Sequence, residues 1–207
     1  MADCSESVIL LDWDDTLLAS TWVAKHGLRP RYCDERLEIP EPLRRELAEL
    51  EEFVLELLHR ASLYGRVVIV TAAETGWVEL SASLFLPRCL DVIQSSVRVV
   101  SARSNYEAIY PDSPMQWKLA AFHHEVFLNS RTPRHVISLG DSTSEREALI
   151  AIADMEESIR GKSLKFITRP TLEELKQQVE LVLSHLEYMC THDGSLDLQL
   201  SKHLISA

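Results

Sequence analysis

Short runs of mostly apolar residues recur along the chain, and longer segments with apolar residues at helical spacing lie between them. A run of about four such residues is typical of a strand that is buried on both faces of a sheet. These runs predict five strands, over residues 8–11, 67–70, 97–100, 136–139 and 164–167.

Apolar positions that repeat every three or four residues predict amphipathic helices between and after these strands. The predicted helices cover residues 43–61, 113–129, 144–158 and 171–186. Gly65 follows the first of them, and glycine commonly ends a helix. Ser113 and Thr171 each begin a capping-box sequence, which predicts a helix start at both positions.

The alternation of strands and helices predicts an α/β fold, a three-layer α/β/α sandwich around a mainly parallel, Rossmann-like sheet. We expect one domain over residues 1–192, with a small basic insertion at residues 19–40. Residues 193–207 are polar, and we expect them to form a flexible tail. Ligands of such sheets bind beyond the carboxyl ends of the strands, so those ends are where chemistry is expected.

The charge balance narrows the possible partners. The chain of 207 residues has 32 acidic and 21 basic side chains, with a formal net charge of −11. Nonspecific binding to nucleic acids relies on basic residues, so we expect none. The apolar runs are too short to span a bilayer and no signal segment precedes the first strand, so we expect a cytoplasmic protein without a membrane partner.

Cysteine and glycine exclude several kinds of site. The four cysteines, Cys4, Cys33, Cys89 and Cys190, are widely scattered. This spacing favours neither a disulfide framework nor a zinc site, and it indicates a reducing compartment. The six glycines form no glycine-rich phosphate loop, so the chain has neither a dinucleotide-binding fingerprint nor a Walker-type loop.

Acidic residues follow the first predicted strand. Asp12, Asp14 and Asp15 lie within four positions, and residues 12 and 14 of an extended chain project to the same side. Three such carboxylates repel one another unless a cation or a phosphate-handling role neutralises them. The alternative interpretation is an acidic turn that caps a helix.

Further polar residues follow other strands. Thr71 ends the second, where its hydroxyl and the backbone N–H groups from Ala72 onward can hold a phosphate oxygen, although a threonine there can equally cap a helix. Asp141 and Glu145 follow the fourth strand, where an N-cap is the alternative. Lys118 lies one turn into the helix that begins near Ser113, between the two acidic strand ends.

Together, these residues resemble the four motifs of the haloacid dehalogenase-like (HAD-like) hydrolase superfamily. The matching positions are Asp12, Asp14, Thr16 and Leu17 in the first motif, Thr71 in the second, Lys118 in the third, and Gly140, Asp141 and Glu145 in the fourth. They span residues 8–145, roughly two-thirds of the chain. Two positions depart from the usual pattern: Asp15 stands where glycine is usual, and Glu145 where aspartate is commoner, with Glu147 as a nearby alternative.

The resemblance implies a Mg²⁺-dependent phosphohydrolase that works through an aspartyl-phosphate. In this mechanism Asp12 attacks phosphorus as the nucleophile. Asp14 protonates the leaving oxygen and later takes a proton from the hydrolytic water. The carbon–halogen hydrolases of the superfamily lack this second aspartate, so its presence favours phosphate chemistry.

The resemblance also implies how the site binds its ligands. Phosphoryl oxygens lie near Asp12 and are bound by Thr71, the Ala72 backbone and Lys118. The Mg²⁺ ion is held by Asp12, the backbone carbonyl of Asp14 and Asp141, with Glu145 acting through a metal-bound water or through Lys118.

The substrate is less defined by the sequence. Residues 19–40 and 72–96 leave little room for a cap domain, since we expect the second range to hold little beyond one helix. A site without a cap is open, which suits a large phosphorylated substrate. A small phosphorylated molecule is the alternative substrate. The basic side chains of the insertion either steer an anionic substrate or are simply solvated; they are Lys25, Arg29, Arg31 and Arg36. The tryptophans near the motifs, Trp13, Trp77 and Trp117, either line the site or pack in the core. The oligomeric state is left open.

Two other functions are weighed against the phosphohydrolase. One is a catalytically silent HAD-like scaffold that binds a partner or a phosphorylated ligand. The other is a serine esterase with Ser142 as nucleophile, because Gly140-Asp141-Ser142 is similar to that family's Gly-Asp-Ser block. The chain has no Asp-x-x-His segment to complete such a site, and the esterase leaves Asp12 and Asp14 without a role.

Overall fold

The computed structural model describes residues 7–30, 37–129 and 131–205. Over these ranges the strands are Ser7–Leu11 (β1), Arg66–Thr71 (β2), Arg98–Ser101 (β3), His135–Gly140 (β4), Arg160–Lys165 (β5) and Leu196–Gln199 (β6). The helices are Ser20–Lys25 (α1), Glu41–Tyr64 (α2), Trp77–Phe85 (α3), Pro87–Ser96 (α4), Ala102–Tyr106 (α5), Pro114–Val126 (α6), Thr143–Met155 (α7), Leu172–Thr191 (α8) and Lys202–Ile205 (α9).

The strands form one parallel sheet in the order β3-β2-β1-β4-β5-β6. β1 lies at its centre, where Ile9 is opposite Val67 of β2 and Ile137 of β4. The order reverses at β1, and the carboxyl ends of β1, β2 and β4 therefore meet at one edge of the sheet.

Both faces of the sheet are covered, because side chains of β1 alternate between two hydrophobic cores. Ile9 and Leu11 pack into the core that contains α2, α3, α4 and α8. Val8 and Leu10 pack into a second core with α6 and α7. The predicted three-layer α/β/α sandwich with a Rossmann-like parallel sheet is thus confirmed.

The fifth strand begins four residues earlier than its apolar run predicts. β5 starts at Arg160, and it contains Lys162 and Ser163 as buried polar residues. Its backbone also packs closely on α7, since a Cβ at Gly161 would lie 3.0 Å from the Cβ of Ala153. Because β4 and β6 flank it on both sides, tertiary pairing rather than an apolar pattern sets its position.

The segment predicted to be a flexible polar tail contains regular structure. Residues Leu196–Gln199 form β6, which pairs in parallel with β5, and the chain continues into α9. Leu200 is buried after the strand, and Arg146 of α7 forms a bidentate ion pair with Asp197. A short, mostly exposed edge strand carries too few apolar residues to be recognised from sequence.

Two other predictions need adjustment. The segment between β2 and β3 holds two helices, α3 and α4, rather than one. α6 begins at Pro114 as expected, but the Ser113 side chain forms no capping hydrogen bond, whereas Thr171 does cap α8. In the described ranges, no helix has the length and apolar character needed to cross a membrane.

Candidate active site

The carboxyl ends of three neighbouring strands meet at one cavity. Asp12 directly follows β1, and its N–H donates to the carbonyl of Leu139 in β4 at 2.9 Å. The cavity has a volume of about 450 Å³ and is lined by Asp12, Asp14, Asp15, Arg29, Ala72, Ala73, Arg103, Pro114, Lys118, Asp141, Ser142, Ser144 and Glu145. Thr71 does not line this cavity, whereas the other predicted catalytic, phosphate-binding and metal-binding residues do: Asp12, Asp14, Ala72, Lys118, Asp141 and Glu145.

Lys118 is the buried cation of the site. Its side chain is 1% exposed, and its three donors are used by Asp12 Oδ1 at 2.6 Å, Glu145 Oε1 at 2.8 Å and the Val70 carbonyl at 2.5 Å. Burial disfavours the ammonium, but the two carboxylates outweigh burial and raise the pKa of Lys118. Lys118 therefore stays charged and joins the ends of β1, β2 and α7.

The carboxylates of the cavity are crowded. Burial raises the pKa of Asp12, and the nearby Glu145 carboxylate adds to this effect while Lys118 opposes it. Burial, followed by repulsion from Glu145 and Asp15, raises the pKa of Asp141 to about 7. A cation bound near these groups would favour their ionised forms.

Glu145 faces the cavity because the backbone before it leaves room. A Cβ at Gly140 would lie 2.5 Å from Glu145 Cγ, so only glycine fits there. Glu145 also completes a capping box with Ser142 at the start of α7. This segment thus forms the N-cap of α7 and also places Glu145 at the cavity, whereas Glu147 is exposed and does not line the cavity.

The Ser142 hydroxyl is engaged by the capping box. It accepts from the N–H of Ser144 at 3.0 Å and donates to the Glu145 carboxylate. This engagement gives no support to the esterase alternative.

Asp14 is oriented from two sides. The Trp77 indole N–H donates to Asp14 Oδ1 at 2.9 Å, and the Thr71 hydroxyl lies 3.5 Å from Asp14 Oδ2. Burial raises the pKa of Asp14, although the hydrogen bond from Trp77 opposes this. Thr71 is buried behind the cavity, where its hydroxyl accepts from the Ala73 N–H at 3.0 Å. It thus contacts Asp14 rather than the cavity itself.

The side chain of Asp15 caps α1 from outside the helix, and the N-cap residue Ala19 makes no side-chain hydrogen bond. Its φ of 54° is in the left-handed region, where glycine is favoured. Its carboxylate accepts from the Thr21 N–H at 2.8 Å and from the Thr21 hydroxyl at 2.5 Å, and so caps α1. The acidic segment thus has two kinds of residue. Asp12 and Asp14 line the cavity, where Lys118 and Trp77 bind them, and Asp15 binds the start of α1.

The three tryptophans divide between core and site. Trp13 is fully buried in the core and donates to Ser81 Oγ at 2.9 Å, and Trp117 packs in the second core. Trp77 contacts Asp14 as described above. Of the basic insertion, Arg29 lines the cavity, whereas Arg31 and Arg36 lie outside the described residues.

Sequence reasoning missed Arg103. This residue lies in α5, two positions after the end of β3, and it lines the cavity. Its place just beyond a strand end is the signal that identifies it, but β3 is short and only partly buried, so the strand end is poorly marked.

A divalent cation fits the donor set of this cavity. The predicted ligands are the carboxylates of Asp12 and Asp141 and the backbone carbonyl of Asp14, all oxygen donors of the kind that Mg²⁺ prefers. Within the described ranges, no three His, Cys, Asp or Glu side chains form a ready metal-binding group. The predicted Mg²⁺ ligands include only two of these side chains, Asp12 and Asp141, together with one backbone carbonyl. They are therefore not a group of that kind.

Comparison with protein-family models, curated proteins and solved structures found no match to this chain. The interpretation of the site therefore depends on its own residues.

Proposed function

We propose that the protein is a Mg²⁺-dependent phosphohydrolase of the HAD-like type, which cleaves phosphomonoesters through an aspartyl-phosphate. The observation that carries the proposal is the buried Lys118 ammonium, held between Asp12 and Glu145 in a cavity that Asp14 and Asp141 also line. A lysine in this position offsets the negative charge that would otherwise repel a phosphate dianion.

In the first half-reaction, a carboxylate oxygen of Asp12 forms a bond to phosphorus as the bond to the leaving oxygen breaks. Lys118 fixes the orientation of Asp12 through Oδ1. Asp14 gives its proton to the leaving oxygen, and its raised pKa favours the protonated form that this step needs. Trp77 occupies Oδ1 of Asp14, which leaves Oδ2 to carry the proton.

In the second half-reaction, water attacks phosphorus, Asp14 takes the water's proton, and the bond between phosphorus and Asp12 breaks. Inorganic phosphate leaves and both aspartates return to their starting states. When bound, Mg²⁺ would supply charge neutralisation for the phosphoryl group, held by Asp12, Asp141 and the Asp14 carbonyl. Glu145 orients Lys118, which it contacts directly.

A cytoplasmic location is part of the proposal. Cys89 and Cys190 are free, buried thiols, which is consistent with a reducing compartment.

Hydrolysis of 4-nitrophenyl phosphate tests the proposal. We expect Mg²⁺-dependent release of nitrophenol that EDTA abolishes, and a loss of at least about 10³-fold in kcat for Asp12→Asn. Glu147→Gln is the matched control, because Glu147 is an exposed carboxylate on the helix that carries Glu145. Full activity of Asp12→Asn would refute the proposal.

The silent scaffold makes a different prediction for the same protein. It would bind beryllium fluoride with Mg²⁺ as a phosphoryl mimic, yet release no phosphate from any ester. Absence of both turnover and beryllium fluoride binding would exclude the aspartyl-phosphate route as well.

A further inference from the structure

A second cavity adjoins the one that holds Lys118. Its volume is about 680 Å³, and it is formed between α1, α3 and the loop after β2. The two cavities share four lining residues: Asp14, Arg29, Ala73 and Arg103. A phosphomonoester whose phosphoryl group lies in the first cavity would therefore extend its organic group into the second.

The walls of this second cavity suit an organic molecule of modest size. Val23, Leu80 and Trp77 supply apolar surface, and Ser20 and Thr21 of α1 supply hydroxyl groups. Ligand pockets in proteins are typically about 300–1,000 Å³ with a few polar groups among apolar ones. The cavity thus matches a small molecule better than the macromolecule that the absence of a cap suggests.

Two arginines lie where the cavities join. The Arg29 guanidinium is 6.0 Å from the centre of the Trp77 ring, and that of Arg103 is 5.9 Å from the Trp117 ring. Both indoles are anchored in turn, since Trp77 donates to Asp14 and Trp117 donates to the Tyr110 carbonyl. Stacking on an anchored indole restricts where each guanidinium can lie.

Both arginines retain donors for a ligand. Within the described ranges, no carboxylate lies within ion-pair distance of Arg29, and the ion pair of Arg103 with Glu107 uses only Nε, at 2.9 Å. Arginine binds carboxylate and phosphate groups through two parallel hydrogen bonds. Asp14 and Glu74 are the carboxylates that line this cavity. The carboxylate in ion-pair contact with Arg103 is Glu107, and Glu74 acts on Arg103 only through a weaker electrostatic interaction.

We infer that the substrate is a small organic phosphomonoester whose leaving group carries a second anionic group, phosphate or carboxylate, which Arg29 and Arg103 bind. This inference rests on the proposed phosphohydrolase function. In this arrangement Lys118 binds the phosphoryl group that is transferred, and the two arginines bind the second anionic group of the substrate.

Matched alkyl phosphates test this assignment. kcat/KM is measured with Mg²⁺ for alkyl monophosphates, for α,ω-alkanediol bisphosphates and for ω-carboxyalkyl phosphates, each with three to eight carbons. We expect the doubly anionic compounds to exceed the monophosphate of equal length by about tenfold or more at the best length. The bisphosphate and carboxylate series show which second anion the site prefers.

Variants then assign the preference to the arginines. Arg29→Gln and Arg103→Gln keep part of each side-chain stem. Each is expected to lower, by about tenfold, the ratio of kcat/KM for compounds with two anionic groups to kcat/KM for the alkyl monophosphates. Arg88→Gln is the control, since Arg88 also pairs with a glutamate, Glu52, but lines neither cavity. A ratio that stays unchanged in both cavity variants would refute the inference, whether the two kcat/KM values are unaffected or fall equally.

Two further outcomes separate this inference from the proposed function. If the protein hydrolyses no ester, the proposed function fails, and equilibrium binding of bisphosphate and monophosphate to Asp12→Asn tests the arginines directly. Equal affinities of Asp12→Asn for the bisphosphate and the monophosphate would refute binding of a second anionic group by the arginines. A tenfold preference for the bisphosphate would support it. A phosphopeptide with an acidic residue that outperforms every small compound would refute the small-molecule assignment while leaving the hydrolase intact.

Discussion

Helix α6 carries two buried charged groups with opposite consequences. Lys118, near its start, bridges Asp12 and Glu145 beside a cavity lined by further carboxylates. Glu125, two turns later, is fully buried and is bound by Arg66 and Arg98 at 2.9 Å each and by His124 at 3.0 Å. The Glu125 cluster joins α6 to β2 and β3.

The two clusters differ in their balance of charge. Burial disfavours the Glu125 carboxylate, but its hydrogen bonds from Arg98, His124 and Arg66 outweigh burial and lower its pKa. Around Lys118 the carboxylates outnumber the cation, and the pKa values of Asp12, Asp14 and Asp141 are raised. Glu125 is a single carboxylate between two arginines, so its charge is fully compensated and the cluster joins elements of the fold. Carboxylates that outnumber their cation beside a cavity favour the binding of a further cation.

Removing Lys118 is expected to have the largest effect. Lys118→Met leaves Asp12 and Glu145 without their cation, so we expect a loss of at least about 10³-fold in kcat/KM. The free energy of unfolding should fall by about 3 kcal/mol, because a buried charge pair is broken from one side. Urea denaturation and 4-nitrophenyl phosphate hydrolysis measure the two effects.

Added Mg²⁺ gives this variant an internal control. A cation that binds the carboxylates left without Lys118 should raise the Tm of Lys118→Met more than that of the wild type. Equal shifts in both proteins would indicate that the carboxylates do not depend on a cation, and the contrast with Glu125 would fail.

Removing the Glu125 charge should affect stability without affecting catalysis. Glu125→Gln is expected to lower the free energy of unfolding by about 2 kcal/mol, because Arg66 and Arg98 lose their charged acceptor. Activity should stay within about twofold of the wild type, since Glu125 lines neither cavity. Loss of activity with unchanged stability would reverse the roles assigned to the two clusters.

Acid titration provides a second measurement on the same pair of proteins. The folded-state pKa of Glu125 is lowered from 4.5, so its contribution is present above pH 4.5 and is lost as the pH falls through the folded value. Urea denaturation of wild type and Glu125→Gln should therefore differ more at pH 6 than below pH 4. A difference independent of pH would show that packing, not charge, is responsible.

The two clusters also show what sequence can predict. Lys118 is predictable because it lies in order between two acidic strand ends, and those ends are marked by apolar runs such as residues 67–70 and 136–139. Glu125 lies on the same helix but has no comparable mark, since its partners Arg66 and Arg98 are distant in the chain and meet it only in the folded sheet.

The same reasoning explains why the sequence does not predict two other features, the buried lysine of β5 and the position of Arg103. β5 contains a buried lysine, Lys162, whose amine lies 2.7 Å from His135 Nδ1 in the neighbouring strand, and no local pattern indicates that such a lysine is buried. Arg103 becomes part of the site only because β3 pairs with β2 and brings α5 to the cavity. Local periodicity predicts elements, whereas contacts between distant elements decide which polar residues are buried.

At Asp141 we expect a smaller change in stability than for Lys118→Met, and of the opposite sign. Without Mg²⁺, Asp141→Asn removes one carboxylate from a crowded group, so the free energy of unfolding should rise by about 1 kcal/mol. The same change should lower kcat by about 10²-fold or more, because a predicted Mg²⁺ ligand is lost. A variant less stable than the wild type in EDTA would contradict the proposed charge imbalance.

The smallest effect is expected at Asp15, a carboxylate that lines the cavity beside Lys118 but accepts hydrogen bonds from Thr21. Asparagine tolerates a positive φ, and its amide oxygen can still accept from the Thr21 N–H, so Asp15→Asn should change the free energy of unfolding by less than about 1 kcal/mol. Its activity should stay within about threefold of the wild type, in contrast to Asp12→Asn three residues earlier.

Two further variants separate the roles of the Asp15 backbone and side chain. Asp15→Gly relieves the left-handed backbone while losing the cap, and these contributions of about 1 kcal/mol each should nearly cancel. Asp15→Ala keeps the backbone strain and loses the cap, so it should be the less stable of the two by about 1 kcal/mol. The contrary result would be that Asp15→Asn removes activity as completely as Asp12→Asn does. In that case Asp15 would act with Asp12, Asp14 and Asp141 in the cavity, and binding Thr21 would not be its main role.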